Sequence, residues 1–212
     1  MAHRCQLYLI TPPAFALETF ARTVEDTLAD GHVAAFQLRM KGAGDADILA
    51  AGAALKPIVQ RAATAFIVND RPDLAAKLDA DGVHIGQNDA SYAEARAALG
   101  ADKTVGVTCH NSRDLAYEAA EAGADYVAFG AFYPTETKSP QHWADPEILE
   151  IWQQSALTPC VAIGGITLAN AEPLVRAGAD FLAVSSGVWK HPEGPRAAVA
   201  ALQALFERIA QS

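Results

Sequence analysis

The chain has 212 residues and a formal net charge of −9, from 16 Lys and Arg against 25 Asp and Glu. This acidic balance argues against a nucleic acid or an anionic membrane as partner, so an anionic ligand would need a local group of cations. No apolar run approaches the roughly 18 residues of a membrane span, and the apolar run before Pro12 is too short for a signal peptide. Three cysteines without a Cys-x-x-Cys spacing favour reduced thiols and predict a cytoplasmic protein.

Short apolar runs rich in β-branched residues alternate with Ala-rich amphipathic segments along the whole chain. The predicted strands are 6–11, 33–38, 65–68, 82–85, 104–108, 125–129, 159–163 and 181–184. The predicted helices are 17–30, 45–62, 72–78, 91–98, 112–122, 145–156, 168–177 and 195–210. Eight strand–helix pairs predict an α/β fold, a single (β/α)8 TIM barrel forming one domain over residues 1–212. The competing fold, an open doubly wound sheet, needs fewer strands and no closure.

Polar and glycine residues mark the ends of the predicted helices. The predicted N-caps, whose side chains accept from unpaired backbone N–H groups, are Asp45, Ser91, Ser112 and Thr167. Several helices stop at Gly-Ala-Asp or a variant of it, at 80–82, 123–125 and 178–180, where glycine tolerates a left-handed turn. The recurrence of this device favours one repeated unit over two domains.

Two acidic residues follow neighbouring predicted strands. Asp70 comes after the third strand and Asp89 after the fourth, and the carboxyl ends of parallel strands meet at one rim. Two close carboxylates repel each other unless a cation lies between them, and Mg²⁺ prefers oxygen ligands that it can share with a substrate phosphate. The sequence therefore predicts Mg²⁺ held by Asp70 and Asp89. The alternatives are an Asx turn at Asp70 and a helix N-cap at Asp89.

Positive side chains are predicted beside this acidic pair. Arg39 and Lys41 follow the second strand with a spacing of two, which places both side chains on one side of an extended chain. Two cations there offset the charge of a diphosphate, and the alternative is a solvated basic turn. The long loop after the sixth strand is predicted to close over phosphate oxygens, the alternative being an exposed polar loop. The side chains that it offers for this are Thr135, Thr137 and Lys138.

Glycine and serine residues follow the last two predicted strands. Gly164-Gly165 and Ser185-Ser186-Gly187 predict a cradle of backbone N–H groups for a monophosphate. His84, Cys109 and His110 are interpreted as structural residues and left out of the main catalytic set. A cationic site and a neutral cradle on one rim predict an enzyme that joins two phosphorylated substrates.

Eight segments in order resemble the thiamine-phosphate synthase family, also called thiamine-phosphate pyrophosphorylase. They are LYLIT at 7–11, QLRMK at 37–41, IVNDRPDLA at 67–75, ADGVHIGQND at 80–89, GVTCHN at 106–111, FGAFYPTETK at 129–138, AIGGI at 162–166 and AVSSG at 183–187. The resemblance implies the same barrel and the joining of hydroxymethylpyrimidine diphosphate to hydroxyethylthiazole phosphate, with release of pyrophosphate. It also implies that the diphosphate leaves first and that the thiazole nitrogen captures the resulting pyrimidine-methyl cation.

The resemblance further implies roles for particular residues. Those implied to bind the pyrimidine diphosphate are Gln37, Arg39, Lys41, Asn69, Thr108 and Lys138. Those implied to face the thiazole phosphate or to bridge the substrates are Thr135, Thr137, Gly165, Val184 and Ser185. The implied catalytic residues are Arg39, Lys41, Thr108 and Lys138, and the implied Mg²⁺ ligands are Asp70 and Asp89.

The chain departs from the family's pattern in several places. The family usually has serine where Thr108 stands, often threonine or valine where Cys109 stands, an acidic residue in place of Pro12-Pro13, and a lysine–aspartate pair in place of Ser139-Pro140. These departures bear on substrate specificity and on the loop more than on the type of reaction.

Two other functions stay open. One is a thiazole tautomerase-like isomerase with His110 as proton carrier, and the other is a non-catalytic barrel that binds a phosphorylated ligand. The predicted partners are small phosphorylated pyrimidine and thiazole substrates, with no nucleic acid and no membrane, and a homodimer is left open.

Overall fold

Eight parallel strands close into a barrel in a computed structural model, which describes residues 5–135 and 142–211. Each strand pairs with the next along the chain, and β8 pairs with β1. The strands are β1 Gln6–Ile10, β2 Val33–Leu38, β3 Ala65–Asn69, β4 Gly82–Ile85, β5 Thr104–His110, β6 Tyr126–Phe129, β7 Cys160–Ile163 and β8 Phe181–Val184. The predicted (β/α)8 barrel is confirmed.

Helices connect the strands and surround the barrel. They are α1 Leu17–Leu28, α2 Asp45–Arg61, α3 Pro72–Lys77, α4 Tyr92–Leu99, α5 Arg113–Ala122, α6 Glu147–Ser155, α7 Glu172–Arg176, α8 Ser186–Trp189 and α9 Pro195–Ala210. The four-residue α8 was not predicted, because one helical turn is too short to show a period. In the part of the chain that the structure describes, no helix has the length and apolar character that a membrane span requires.

Two of the four predicted N-caps are confirmed. Ser91 accepts from the Glu94 N–H in a capping box, and Ser112 accepts from the Leu115 N–H. Asp45 is instead the first residue of α2, after Gly44. The predicted helix 168–177 is confined to α7, so Thr167 is not an N-cap, and its N–H donates to Asn170 Oδ1 at 2.8 Å.

Three aspartates connect neighbouring strands by hydrogen bonds at the end of the barrel opposite the predicted site. Asp81, Asp125 and Asp180, here called the strand-start aspartates, each precede an even-numbered strand and accept a backbone N–H at the start of the strand before it. The donors are Phe66 (2.7 Å), Val105 (2.7 Å) and Cys160 (2.8 Å). Each aspartate also accepts from one helix side chain, and these are Gln60, Arg96 and Gln153. The Gly-Ala-Asp device thus ends a helix and ties two strands together, with left-handed Gly123 and Gly178 at two of its three sites.

The strands separate two apolar layers, since alternate side chains point inward and outward. Outward strand residues such as Phe36, Phe66 and Phe129 pack under the helices, and the Phe129 ring contacts Trp152 of α6. The inward layer is smaller and includes Tyr8, Ile67, Tyr126 and Val161. Polar side chains at the carboxyl ends of β2 to β5 therefore lie over the inner layer, where the sequence predicts the site.

Candidate active site

The predicted metal ligands and one predicted cation meet above the ends of β2, β3 and β4. Lys41 Nζ lies 3.9 Å from Asp70 Oδ2, and the Asp70 carboxyl is hydrogen-bonded to that of Asp89. Asp70 has a left-handed φ of 63° and does not cap α3, whose N-cap position is taken by Arg71. Asp89 does not cap α4, because Ser91 does, and it accepts the Gly86 N–H at 2.9 Å instead. Neither alternative interpretation of these two carboxylates is therefore observed.

The charge balance of the pair indicates a place for a cation. The pKa of Asp70 is raised to about 6, first by burial and then by the hydrogen bond and charge of Asp89, while Lys41 and Arg39 act in the opposite direction. Within residues 5–135 and 142–211 no group of three His, Cys, Asp or Glu side chains could hold a metal ion by itself. Mg²⁺ is commonly held by only one or two carboxylates, with water and substrate phosphate completing its shell. The two residues fit a cation that is bound together with a phosphorylated substrate.

Arg39 is fixed by a residue that sequence reasoning did not single out. The Arg39 N–H donates to Thr11 Oγ1 at 2.9 Å, and the Thr11 hydroxyl donates to the Arg39 carbonyl at 3.0 Å. Arg39 is the first residue after β2, so this reciprocal pair extends the β1–β2 ladder by one step with a side chain. Thr11 ends the LYLIT segment at 7–11, but a buried threonine at the end of an apolar strand carries no charge that would have marked it as a partner of Arg39.

Five inward side chains form a hydrogen-bonded row across the barrel, here called the interior polar chain. Its members, in order of contact, are Gln37, Tyr8, Tyr126, His84 and Thr108. His84 is confirmed as a hydrogen-bonded core histidine, and its burial lowers its pKa to about 4, so the ring is neutral at pH 7. Gln37 and Thr108 are thereby placed at the two ends of one buried structure. Asn69 ends β3 and is paired in register with His84.

The end of β5 is irregular next to Thr108. A bulge separates Thr108 from His110, which has a left-handed φ of 53°. The Gln87 amide donates to the Thr108 carbonyl at 2.6 Å, which ties the loop after β4 to this bulge. Cys109 is fully buried, and burial raises its pKa, so it is a packed apolar residue as predicted.

A separate cavity of about 620 Å³ lies beside the ends of β7 and β8. Its lining includes Thr135, Thr167, Ser186, Gly187 and Lys190. It shares Ser186 and Gly187 with the predicted monophosphate cradle, which was expected to be neutral, whereas the cavity lining also contains Lys190, and the lining does not include the acidic pair.

The remaining predicted cradle residues lie next to this cavity. Gly165 has a φ of 65°, and a Cβ there would overlap the backbone carbonyls of Tyr133 and Pro134. The Val184 side chain is buried towards the helices, so only its backbone can line the cradle. Ser185 Oγ donates to the Thr11 carbonyl at 3.2 Å. Two further predicted residues, Thr137 and Lys138, lie outside the described residues.

The pH dependence of stability is expected to report on the acidic pair. Because the pKa of Asp70 in the folded chain, about 6, exceeds its ordinary value of 3.8, its contribution to stability is present below pH 4 and is lost as pH rises through 6. We therefore expect the difference in Tm between the unsubstituted protein and Asp70→Asn to fall between pH 4 and 7 without Mg²⁺. Under the predicted assignment of Mg²⁺ to Asp70 and Asp89, added Mg²⁺ should remove that fall, because a cation held between the two carboxylates would stabilise their ionised forms. A difference curve that is flat without Mg²⁺ would contradict this.

Comparisons with known proteins show the family of the chain. The family model described as "Thiamine monophosphate synthase" matches residues 7–188. A thiamine-phosphate synthase of Rhodospirillum centenum is 62% identical over 196 residues, which is 92% of this chain and 95% of that one. One from Hyphomonas neptunium is 53% identical and covers 98% of this chain and 96% of its own.

A solved structure of a protein with the related name thiamine phosphate pyrophosphorylase is also similar to this chain. Thiamine phosphate pyrophosphorylase from Pyrococcus furiosus superposes with a TM-score of 0.84 at 30% identity, covering 98% of both chains. The family model covers all eight strands except the first residue of β1, and the relatives match nearly end to end. The chain belongs to the thiamine monophosphate synthase family.

Proposed function

We propose that this protein is a Mg²⁺-dependent transferase that joins hydroxymethylpyrimidine diphosphate to hydroxyethylthiazole phosphate, giving thiamine phosphate and pyrophosphate. The observation that carries the Mg²⁺-dependent step is the meeting of the Asp70–Asp89 pair with Lys41 beside Arg39. An isomerase that acts on the thiazole phosphate alone has no use for this diphosphate-binding half of the rim. A binding module has no need of it either.

The positions of the side chains suggest how the reaction is divided among them. Arg39 and Lys41 grip the diphosphate and stabilise the negative charge that grows on it as the C–O bond breaks. Asp70 and Asp89 would hold Mg²⁺, whose chemistry there is to neutralise charge on the phosphate oxygens. Gln37 and Asn69, at the ends of β2 and β3, orient the pyrimidine. No strong base is required, which agrees with a buried, neutral His84.

The second substrate is assigned to the cavity beside β7 and β8. Thr135 lies in its wall together with the backbone of Ser186 and Gly187, so hydroxyl and N–H groups are available to a monophosphate. Gly165 lets the β6 and β7 loops approach each other closely, which shapes this side of the rim. In this proposal Thr137 and Lys138, which lie outside the described residues, contribute a hydroxyl and a positive charge to the phosphates.

The experiment is a coupled assay of pyrophosphate and thiamine phosphate with both substrates and Mg²⁺. We expect one pyrophosphate per thiamine phosphate and no turnover when Mg²⁺ is chelated. Arg39→Met should lower kcat/KM for the diphosphate substrate by roughly 10²-fold. The matched control is Arg71→Met, since Arg71 is an arginine on the same rim whose partners are Asp45 and Asp73. Absence of pyrophosphate release, or equal losses in the two variants, would refute the proposal.

Location and assembly belong to the proposal as well. The cytoplasmic location is supported by the free, buried state of all three cysteines, Cys5, Cys109 and Cys160. The homodimer stays a prediction.

A further inference from the structure

The interior polar chain joins two substrate-binding positions through the middle of the barrel. Gln37 Nε2 lies 3.0 Å from the Tyr8 hydroxyl, which lies 2.9 Å from that of Tyr126. The Tyr126 hydroxyl lies 2.9 Å from His84 Nδ1, and His84 Nε2 lies 2.7 Å from Thr108 Oγ1. Of the five side chains, only Thr108 is not buried, so the row starts inside the barrel and ends at the rim.

The hydrogen bonds of the interior polar chain can run in only one direction without leaving a buried proton unpaired. The Gln37 amide nitrogen can only donate, so the Tyr8 oxygen accepts from it. The Tyr8 proton then has Tyr126 as its remaining partner in the described structure, and the Tyr126 proton passes to His84 Nδ1. A neutral imidazole that accepts at Nδ1 carries its proton at Nε2, and it therefore donates to Thr108 Oγ1. The opposite direction would leave the Tyr8 hydroxyl proton without an acceptor, which is costly in a buried site.

The packing of the barrel holds this arrangement in place. The rings of His84 and Tyr126 are stacked, with centroids 5.6 Å apart and planes at 16°. Gly106 lies between them in the strand register, opposite both residues, and a Cβ there would overlap the Tyr126 ring. The missing side chain on β5 is what lets β4 and β6 touch across it. The row is therefore preorganised, because none of its bonds depends on a mobile surface side chain.

We propose that Tyr126 and His84 are positioning residues that hold the Thr108 hydroxyl with its oxygen accepting from the barrel interior and its hydrogen directed out to the rim. The inference rests on the proposed function in one respect, since it identifies the leaving diphosphate as the acceptor of that hydrogen. A donor already oriented towards developing negative charge needs no reorganisation during the reaction, which is the condition under which one hydrogen bond contributes most to the rate.

Tyr126→Phe removes the group that selects the tautomer of His84. Either ring nitrogen can then carry the proton, so Thr108 can turn inward and donate to Nε2 instead of to substrate. We expect kcat to fall roughly tenfold with a smaller change in KM for the diphosphate substrate, because the lost bond strengthens as negative charge develops on the leaving group. The matched control is Tyr117→Phe, which removes a hydroxyl bonded to Ser155 at the surface and should leave kcat unchanged.

A double-mutant cycle separates positioning from general support of the fold. In a Thr108→Val background, Tyr126→Phe should have less than about a twofold further effect on kcat, because no hydroxyl is left to orient. In a Thr108→Ser background, which keeps the hydroxyl, the tenfold effect should return. Equal effects of Tyr126→Phe in all three backgrounds would mean that it only supports the fold, and would overturn the inference.

Nitrogen NMR tests the hydrogen-bond direction without reference to catalysis. In protein labelled with ¹⁵N-histidine, with the His84 signals identified by their loss in His84→Gln, we expect the Nε2–H tautomer, and a mixture of tautomers in Tyr126→Phe. An Nδ1–H tautomer in the unsubstituted protein would overturn the inference even if synthesis is normal. An inactive protein with the Nε2–H tautomer would instead refute the proposed function and leave the orientation of Thr108 supported.

Discussion

Asp70→Asn is expected to lower kcat/KM for pyrophosphate release by roughly 10²–10³-fold at the Mg²⁺ concentration that just saturates the unsubstituted protein. The substitution keeps the shape of the side chain but removes half of the charge that would hold the cation beside Lys41 and Arg39. The loss should be partly relieved at high Mg²⁺ concentration if it comes from weakened cation binding. The measurement is the rate of pyrophosphate release as a function of Mg²⁺ concentration.

The thermal stability of Asp70→Asn should not follow its loss of activity. Since the pKa of Asp70 is raised by burial and by Asp89, removing its charge at pH 7 relieves an unfavourable state, and Tm without Mg²⁺ should not fall. The matched control is Asp73→Asn, because Asp73 lies three residues away, on the first turn of α3, and is paired with Arg71. Full activity in Asp70→Asn with an unchanged dependence on Mg²⁺ would contradict the assignment of this carboxylate.

Gly106→Ala is expected to destabilise the barrel strongly for a change of a single methyl group. The added Cβ would overlap the Tyr126 ring on the inner face of the barrel, where the surrounding strands leave little room to yield. Overpacking of this kind costs about 1–3 kcal/mol, and displacement of Tyr126 should also break the interior polar chain and reduce turnover. Urea unfolding and the pyrophosphate assay measure the two effects.

Gly44→Ala is the matched control for that change. Gly44 has an ordinary φ of −73°, and a Cβ there would meet nothing nearer than Asp47 Oδ2 at 3.8 Å. The free energy of unfolding of Gly44→Ala should differ from that of the unsubstituted protein by less than about 1 kcal/mol, which is the range of N-cap effects. Turnover should be unaffected. If the two variants lose the same stability, Gly106 is not required by the packing of Tyr126.

The fold could be predicted from the sequence because eight apolar runs and eight amphipathic segments alternate at nearly regular spacing. The acidic pair with Arg39 and Lys41 could be predicted as well, because each of the four carries a charge and follows the end of a strand by one to four residues. The wrong predictions are at helix starts. Thr167 resembles an N-cap, but its N–H is satisfied by the Asn170 side chain, which delays α7 until Glu172.

The interior polar chain was missed for a different reason. Tyr8 and Tyr126 are aromatic residues in apolar strands, where nothing marks them as polar partners. The register pairs both His84 and Tyr126 with Gly106, whereas it pairs Tyr8 with Ala35. Strand alternation alone places these residues on the inner face, so the set was accessible from the predicted strands. Their mutual contact was not, because it depends on the absence of a side chain at Gly106.

The strand-start aspartates divide the barrel into modules. Asp81 ties β3 to β4, Asp125 ties β5 to β6, and Asp180 ties β7 to β8, so these side-chain bonds lie within pairs of strands and not between pairs. A cut in the chain at 100–103 or at 156–158 would leave the three aspartate–backbone bonds inside intact fragments, but it would place Arg96 and Asp125, or Gln153 and Asp180, on different fragments. An exchange of segments between related barrels at either junction would therefore keep the bonds between paired strands, and the incoming segment would have to supply the helix side chain that binds the aspartate.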